Sequence, residues 1–126
     1  MNYKIVAKYI KNIEFTIPNP KVFFLLAENI SNYKINIDIK SNQVKENIIV
    51  VEISLSLKPT KDDFEKIDSK IIYATLIEVD SKKINKEELE KIILIDVPTK
   101  VYSEIRDSFI FLFEKSGFKE IQIDQD

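Results

Sequence analysis

Histidine and cysteine are both missing from this 126-residue chain. Without histidine, the commonest general base and the commonest transition-metal ligand are gone. Without cysteine there is no disulfide framework and no thiolate zinc site. Glycine occurs once, at Gly117, so no glycine-rich loop is available to cradle a phosphate. An excess of one charge is lacking too. The 19 basic and 21 acidic residues are interspersed and leave a net charge of −2, which is no nucleic-acid footprint. No apolar run approaches the roughly 18 residues of a membrane-spanning helix, and no basic stretch leads into an apolar core at the N-terminus. The expected compartment is the cytoplasm, with neither membrane nor nucleic acid as partner.

Residues that could still carry chemistry are better explained otherwise. Ser54, Ser56, Ser103 and Ser108 have no histidine to activate them and no lysine at motif spacing. Asp62, Asp63 and Glu65 sit among lysines in what reads as a solvated turn. Glu87, Glu88 and Glu90 suit the first turn of a helix, where its dipole favours acids. No enzyme activity, cofactor or metal is expected.

What is present is apolar patterning. Apolar residues make up 44% of the chain and charged residues 32%, as in one folded domain spanning residues 1–126. Odd positions from Tyr3 to Ile17 (Tyr3, Ile5, Ala7, Tyr9, Ile13, Phe15, Ile17) predict a long strand with one half-buried face. Val6 and Ile10 break its polar face, and Pro18-Asn19-Pro20 ends it. Lys21-Val22-Phe23-Phe24-Leu25-Leu26-Ala27 has no clean period and reads equally as a buried crossover or a binding surface. Tyr33, Ile35, Ile37 and Ile39 predict a second strand, turned by Ser41-Asn42-Gln43. Ile49 to Leu57 predicts a third, ended by Pro59, and Ile71 to Val79 a fourth. Asn85 with Glu88 resembles a capping box, with Ile84 and Leu89 as its staple. Leu89, Ile92, Ile93 and Asp96 mark the inner face of the helix that follows. Ile121-Gln122-Ile123 reads as a short extended segment. Four strands followed by helices imply an α+β fold: a four-stranded antiparallel sheet with a crossover after strand one, covered on one face by C-terminal helices. The connection from Pro18 to Asn32 is the one long enough to change strand order.

Val97 to Phe118 carries both its ends in its sequence. Pro98 suits a first turn, or else kinks a longer helix. Gly117 is placed as a left-handed C′ residue, with Phe118 folding back on Phe113. Val101, Ile105, Ser108 and Leu112 form one face, flanked by Tyr102 and Phe109, while Lys100, Glu104, Asp107 and Lys115 read as solvated. Ile110 and Phe111 fall elsewhere, so the last turns are apolar nearly all round, and such a helix is buried all round. A second subunit is the expected cover. Val6, Ile10, Ile110 and Phe111 are the expected oligomer contacts, in a dimer or dimer of dimers. Together with Phe23, Phe24 and Leu25 they exceed what one sheet and two helices need.

Tyr9-Ile10-Lys11-Asn12-Ile13-Glu14-Phe15-Thr16-Ile17-Pro18-Asn19 resembles the strand-one signature of SecB, the bacterial protein-export chaperone family. Val22-Phe23 falls at that family's aromatic crossover, and Val97-Pro98 through Gly117-Phe118 looks like its main helix. The resemblance spans nearly the whole chain. It implies a dimer of dimers with helices sandwiched between sheets, no catalysis and no cofactor. It also implies ATP-independent binding of unfolded polypeptides in a groove lined by crossover and helix aromatics. Val22, Phe23, Phe24 and Leu25 would form one wall, and Phe109 and Phe113 the other. A structural oligomeric adaptor without the groove is the alternative. Two departures stand out. Where the family places strand-one acids that help dock the translocation ATPase SecA, this chain has Asn12 and Thr16, with Glu14 the one acid. The family's second C-terminal helix and tail would find no counterpart before Asp126. Relatives that serve toxin–antitoxin systems are the other implied role.

Overall fold

The four alternating stretches become one sheet in the computed structural model, which describes residues 3–29, 33–60, 68–80 and 82–118. β1 (Tyr3–Thr16), β2 (Tyr33–Lys45), β3 (Ile48–Pro59) and β4 (Asp68–Val79) pair antiparallel in the order β1-β4-β3-β2. β1 and β2 are therefore the two edges, and the segment joining them crosses the sheet. The Asp62, Asp63 and Glu65 loop and the Ile121–Ile123 segment lie outside the described residues.

Residues paired across strands share a face. Val51, Ile53 and Leu55 of β3 oppose Thr75, Tyr73 and Ile71 of β4, and Ile39, Ile37 and Ile35 of β2 oppose Ile53, Leu55 and Leu57. This is the face the helices cover. Val51, Leu55, Ile71 and Ile77 are wholly buried there, each contributing on the order of 1.5–3 kcal/mol by leaving water.

β1 departs from the single alternating face expected of it. Its register slips between Ile5 and Ala7 and again between Ile10 and Asn12. Each extra residue reverses which parity faces the helices. Tyr3, Ile5, Ile13 and Phe15 keep the expected side. Between the slips Lys8 and Ile10 take it over, opposite Thr75 and Tyr73, while Ala7 and Tyr9 turn to the far side. The Ser41-Asn42-Gln43 turn is also corrected. β2 runs on to Lys45, and the chain reverses at Glu46-Asn47, with Asn47 in the left-handed region at φ 66°.

The apolar run of the crossover is a helix, α1 (Pro20–Asn29). Asn19 caps it. Its Oδ1 accepts from the Val22 N–H at 2.9 Å, and Pro20 stands at the first helical position. Val22 and Leu26, four apart, are buried, so α1 presents only a narrow stripe to the core.

α2 (Lys86–Lys91) starts at the expected cap, where the Asn85 Oδ1 accepts from the Glu88 N–H at 2.8 Å. A π-turn at Ile92–Asp96 then leads into α3 (Val97–Lys115) without a break in helical backbone. The wide turn comes just before Pro98, whose ring would otherwise meet the carbonyl four residues back. One long helix with an irregular turn is thus the outcome. The buried face of α3 is Val97, Val101, Ile105, Phe109 and Phe113, which keeps Val101 and Ile105 of the expected face and is turned about 30° from it at 100° per residue. Its end is a Schellman motif. The Phe118 N–H bonds the Phe113 carbonyl, the Gly117 N–H bonds the Glu114 carbonyl, and the Phe118 and Phe113 rings lie 5.8 Å apart.

Candidate functional site

A file of aromatic rings runs from the core to the surface at the end of α3. Phe109 meets Phe113 at 5.2 Å, Phe113 meets Phe118 at 5.8 Å, Phe118 meets Phe23 at 4.8 Å and Phe23 meets Phe24 at 5.8 Å. Phe15 of β1 packs edge-on against Phe113 at 4.9 Å. The inner members are core. Val22, Phe109 and Phe113 have almost no exposed surface, which corrects their assignment to a client-facing wall. A shift of α3 about its axis brings Phe109 and Phe113 onto the sheet. Val22 is the side chain by which α1 docks.

The outer members differ. Phe23 is half-buried, whereas Phe24 is 63% and Leu25 39% exposed on the outward side of α1. Beside them lies an open cavity of about 490 Å³, lined by Phe15, Ile17, Asn19, Pro20, Phe23 and Ser116. Its floor is apolar and its rim carries the α1 cap. Such a surface offers contact area to apolar side chains and asks for no particular sequence.

A second apolar region lies along β1. Val6, Tyr9, Ile10 and Ile13 are each 45–47% exposed. On α3, Phe111 is exposed and Ile110 half-buried. Tyr9 falls on the far face because the first register slip, invisible to simple alternation, reverses its parity, whereas Ile13 keeps the expected side and is left exposed at the open edge of the sheet. Leu94 and Ile95, in the π-turn, are further exposed apolar residues that helical periodicity does not announce.

Between these regions is one polar network. The Lys8 Nζ lies 2.8 Å from the Glu104 Oε1, and the Tyr73 hydroxyl donates to the Glu104 Oε2 at 2.7 Å. Glu104 is thus not simply solvated. Lys8 first, then Tyr73, holds its carboxyl below the usual value. Burial, reinforced by the Glu104 carboxylate, pushes the Tyr73 phenol up to about 12. On the opposite face of the sheet, Lys11 pairs with Glu52 at 2.9 Å, and Asn12 donates to Glu14 at 3.2 Å. Glu14 stands across from Lys70 in the register. Among the described residues no acidic cluster is placed to hold a metal ion, and no helix is long and apolar enough to cross a membrane.

The sheet order, the crossover and the capped helix meet a sequence profile described as Preprotein translocase subunit SecB, which matches residues 1–125. The chain belongs to the SecB family. A candidate protein-export protein SecB of Pelagibacter ubique (strain HTCC1062) is 36% identical over 98% of this chain and 89% of its own length. The protein-export protein SecB of Bartonella bacilliformis is 22% identical over 97% of this chain and 76% of its own. In three dimensions the chain is similar to a SecB-like chaperone of Mycobacterium tuberculosis, solved in complex with a ChAD peptide from an antitoxin. The TM-score is 0.69 at 15% identity, over 98% of this chain and 86% of the other. SecB members are chaperones of protein export, not enzymes, and the chain has that role.

Proposed function

We propose that the chain is an ATP-independent holdase of the cytoplasm. It binds unfolded polypeptides at Phe24 and Leu25 of α1 and along the adjoining cavity floored by Phe15, Ile17 and Phe23. One observation carries this reading. Two large apolar side chains stand exposed on a helix whose docking stripe, Val22 and Leu26, is already satisfied. An isolated exposed apolar residue is ordinary, but a pair beside an apolar hollow of about 490 Å³ marks a binding surface. An unfolded segment supplies what fits it: apolar side chains at intervals, on a backbone free to follow the hollow.

The protomers assemble through the exposed edge of β1 and the outer side of α3, with Val6, Ile10, Ile110 and Phe111 in the contacts and Tyr9 and Ile13 beside them. Docking to the translocation ATPase SecA is not carried by charge on β1. Glu14 is offset by Lys70 and held by Asn12, and the neighbouring Glu52 is tied to Lys11. Export precursors are the favoured clients, following the names of the family and of the more similar relatives.

The test is suppression of aggregation of an unrelated denatured protein, without ATP. Phe24→Ser with Leu25→Ser should abolish most of the suppression and leave the circular dichroism spectrum and urea midpoint near native, because neither side chain is core. Full suppression by this variant would place the client surface elsewhere. An antitoxin-derived peptide that competes where an export precursor does not would shift the client class.

A further inference from the structure

Gly117 does more than end a helix. Its φ is +106°, a conformation other residues rarely adopt, and a Cβ built there would lie 3.3 Å from both Cε1 and Cζ of Phe23. The contact joins two elements far apart in sequence: the cap of α3 and the first turns of α1. Phe23 then lies tilted 34° against Phe118 at 4.8 Å, and Phe118 itself is buried. The ring of Phe23 thus rests against both the Gly117 backbone and the Phe118 ring, one residue before Phe24.

Resting on the client surface described above, we propose that Gly117 is its positioning residue. The missing Cβ is the space that lets Phe23 seat. The seating of Phe23 fixes the rotation of α1 about its Val22–Leu26 stripe, and that rotation sets how Phe24 and Leu25 are presented at the surface beside the cavity. A side chain at position 117 displaces the far edge of the Phe23 ring by a few tenths of an ångström. Because α1 has only ten residues and a narrow buried stripe, it turns rather than resists.

The experiment exploits the absence of tryptophan from the chain, so that Phe24→Trp supplies a lone fluorescent reporter on α1. Gly117→Ala in this background should shift the emission of the unbound protein and weaken client holding several-fold. Gly117→Asn is run in parallel, because asparagine tolerates positive φ better and carries the same Cβ with less backbone strain. Phe23→Leu removes the two ring atoms that a Cβ would strike. Combined with either change at 117, it should restore emission and holding to those of Phe23→Leu alone, while the lost urea stability stays lost. If Gly117→Ala and Gly117→Asn lower the urea midpoint but leave emission and holding unchanged, Gly117 is a helix terminator and the proposal fails. Failure of Phe23→Leu to restore either readout also overturns it. The client reading fails separately: Phe24→Ser with Leu25→Ser would then still hold clients, while the emission coupling between positions 117 and 23 persists.

Discussion

β1 and β2 are edges of the same sheet, yet they meet solvent in opposite ways. β1 leaves Val6, Tyr9, Ile10 and Ile13 about half exposed. β2 shows Lys34, Asp38, Lys40 and Lys45, with Val44 its one large exposed apolar residue. Charged residues, lysine above all, are how proteins guard an edge against pairing with another chain. β2 is guarded. β1 also exposes Lys4, Lys8 and Lys11, but Lys8 and Lys11 are tied to Glu104 and Glu52 and four exposed apolar residues stand among them, so β1 is in effect the unguarded edge. Their ties to the helical layer differ as well. β2 packs through an aliphatic row, Ile35, Ile37 and Ile39. β1 is pinned to α3 at three points: Lys100 over the Tyr3 ring at 4.8 Å, Lys8 to Glu104 at 2.8 Å, and Phe15 on Phe113 at 4.9 Å. The lesson is that β1 is fixed in place while four of its apolar residues stay exposed. The assembly proposed through β1 needs that arrangement.

The largest effect should come from charging the unguarded edge. Val6→Lys with Ile10→Lys is expected to leave the 14.8 kDa protomer alone in solution, since an unpaired charge in a desolvated contact costs several kcal/mol. Phe111→Lys should act in the same direction. Val44→Lys, on the guarded edge, should leave the assembly unchanged. Light scattering at micromolar protein reads all three. A native protein that already runs at the protomer mass would break the comparison outright.

A smaller effect distinguishes how the edges are anchored. Phe15→Ala removes the ring that seats β1 against Phe113 and should cost roughly 2–3 kcal/mol, below the range for a fully buried phenylalanine because Phe15 is half-buried. Ile37→Ala in β2, also half-buried, should cost roughly 1–2 kcal/mol, spread over an aliphatic row that can close in. Urea denaturation measures both. Equal losses would mean that β1 has no special anchor.

Much of this was legible because it is local. The Gly117–Phe118 ending and the Asn85–Glu88 start are written within five residues, and hydrogen bonds of that span answer to sequence directly. Strand alternation was legible for β3, whose neighbours bury one face along its whole length. It failed for β1, where two inserted residues reverse the parity and nothing in the side chains announces an insertion. It failed at the end of β2 because Ser41 and Gln43 face the helical side yet stay exposed there, so their polarity carries no turn signal. α1 was masked by its own composition: five large apolar residues in a row hide a period that only Val22 and Leu26 express. The missed signal was Asn19-Pro20, a cap followed by a proline at the first helical position. For the candidate site, the run Phe23–Leu25 was visible as surplus apolar capacity. Which of Phe109, Phe111 and Phe113 are core was not, since a small rotation of α3 decides it.

The smallest expected effect tests the polar pin of β1, which exists because the first register slip turns Lys8 toward α3. Glu104 is partly exposed, so the pair with Lys8 and the hydrogen bond from Tyr73 should together contribute no more than about 1 kcal/mol near neutral pH. Its pH dependence is the sharper readout. The folded Glu104 carboxyl is held below 4.5, its ordinary value, so its contribution is complete above that value and fades as pH falls through the folded one. The Tyr73 phenol moves the other way. It keeps its proton to about 12 in the folded protein against 10.0 unfolded, so its contribution is complete below pH 10.0 and is lost as pH rises toward 12. Urea midpoints of the native protein and Glu104→Gln should therefore differ by a constant amount in mid-range and draw together in acid. The native protein should lose stability between pH 10.0 and 12, with a correspondingly smaller loss in Tyr73→Phe. Lys8→Met should weaken the acid response more than the alkaline one, since Lys8 is the first cause of the Glu104 shift and Glu104 only the second cause at Tyr73. Parallel midpoint curves for native and Glu104→Gln down to strong acid would show that the pin does not form in solution, and the ties of β1 to α3 would then be those at Tyr3 and Phe15.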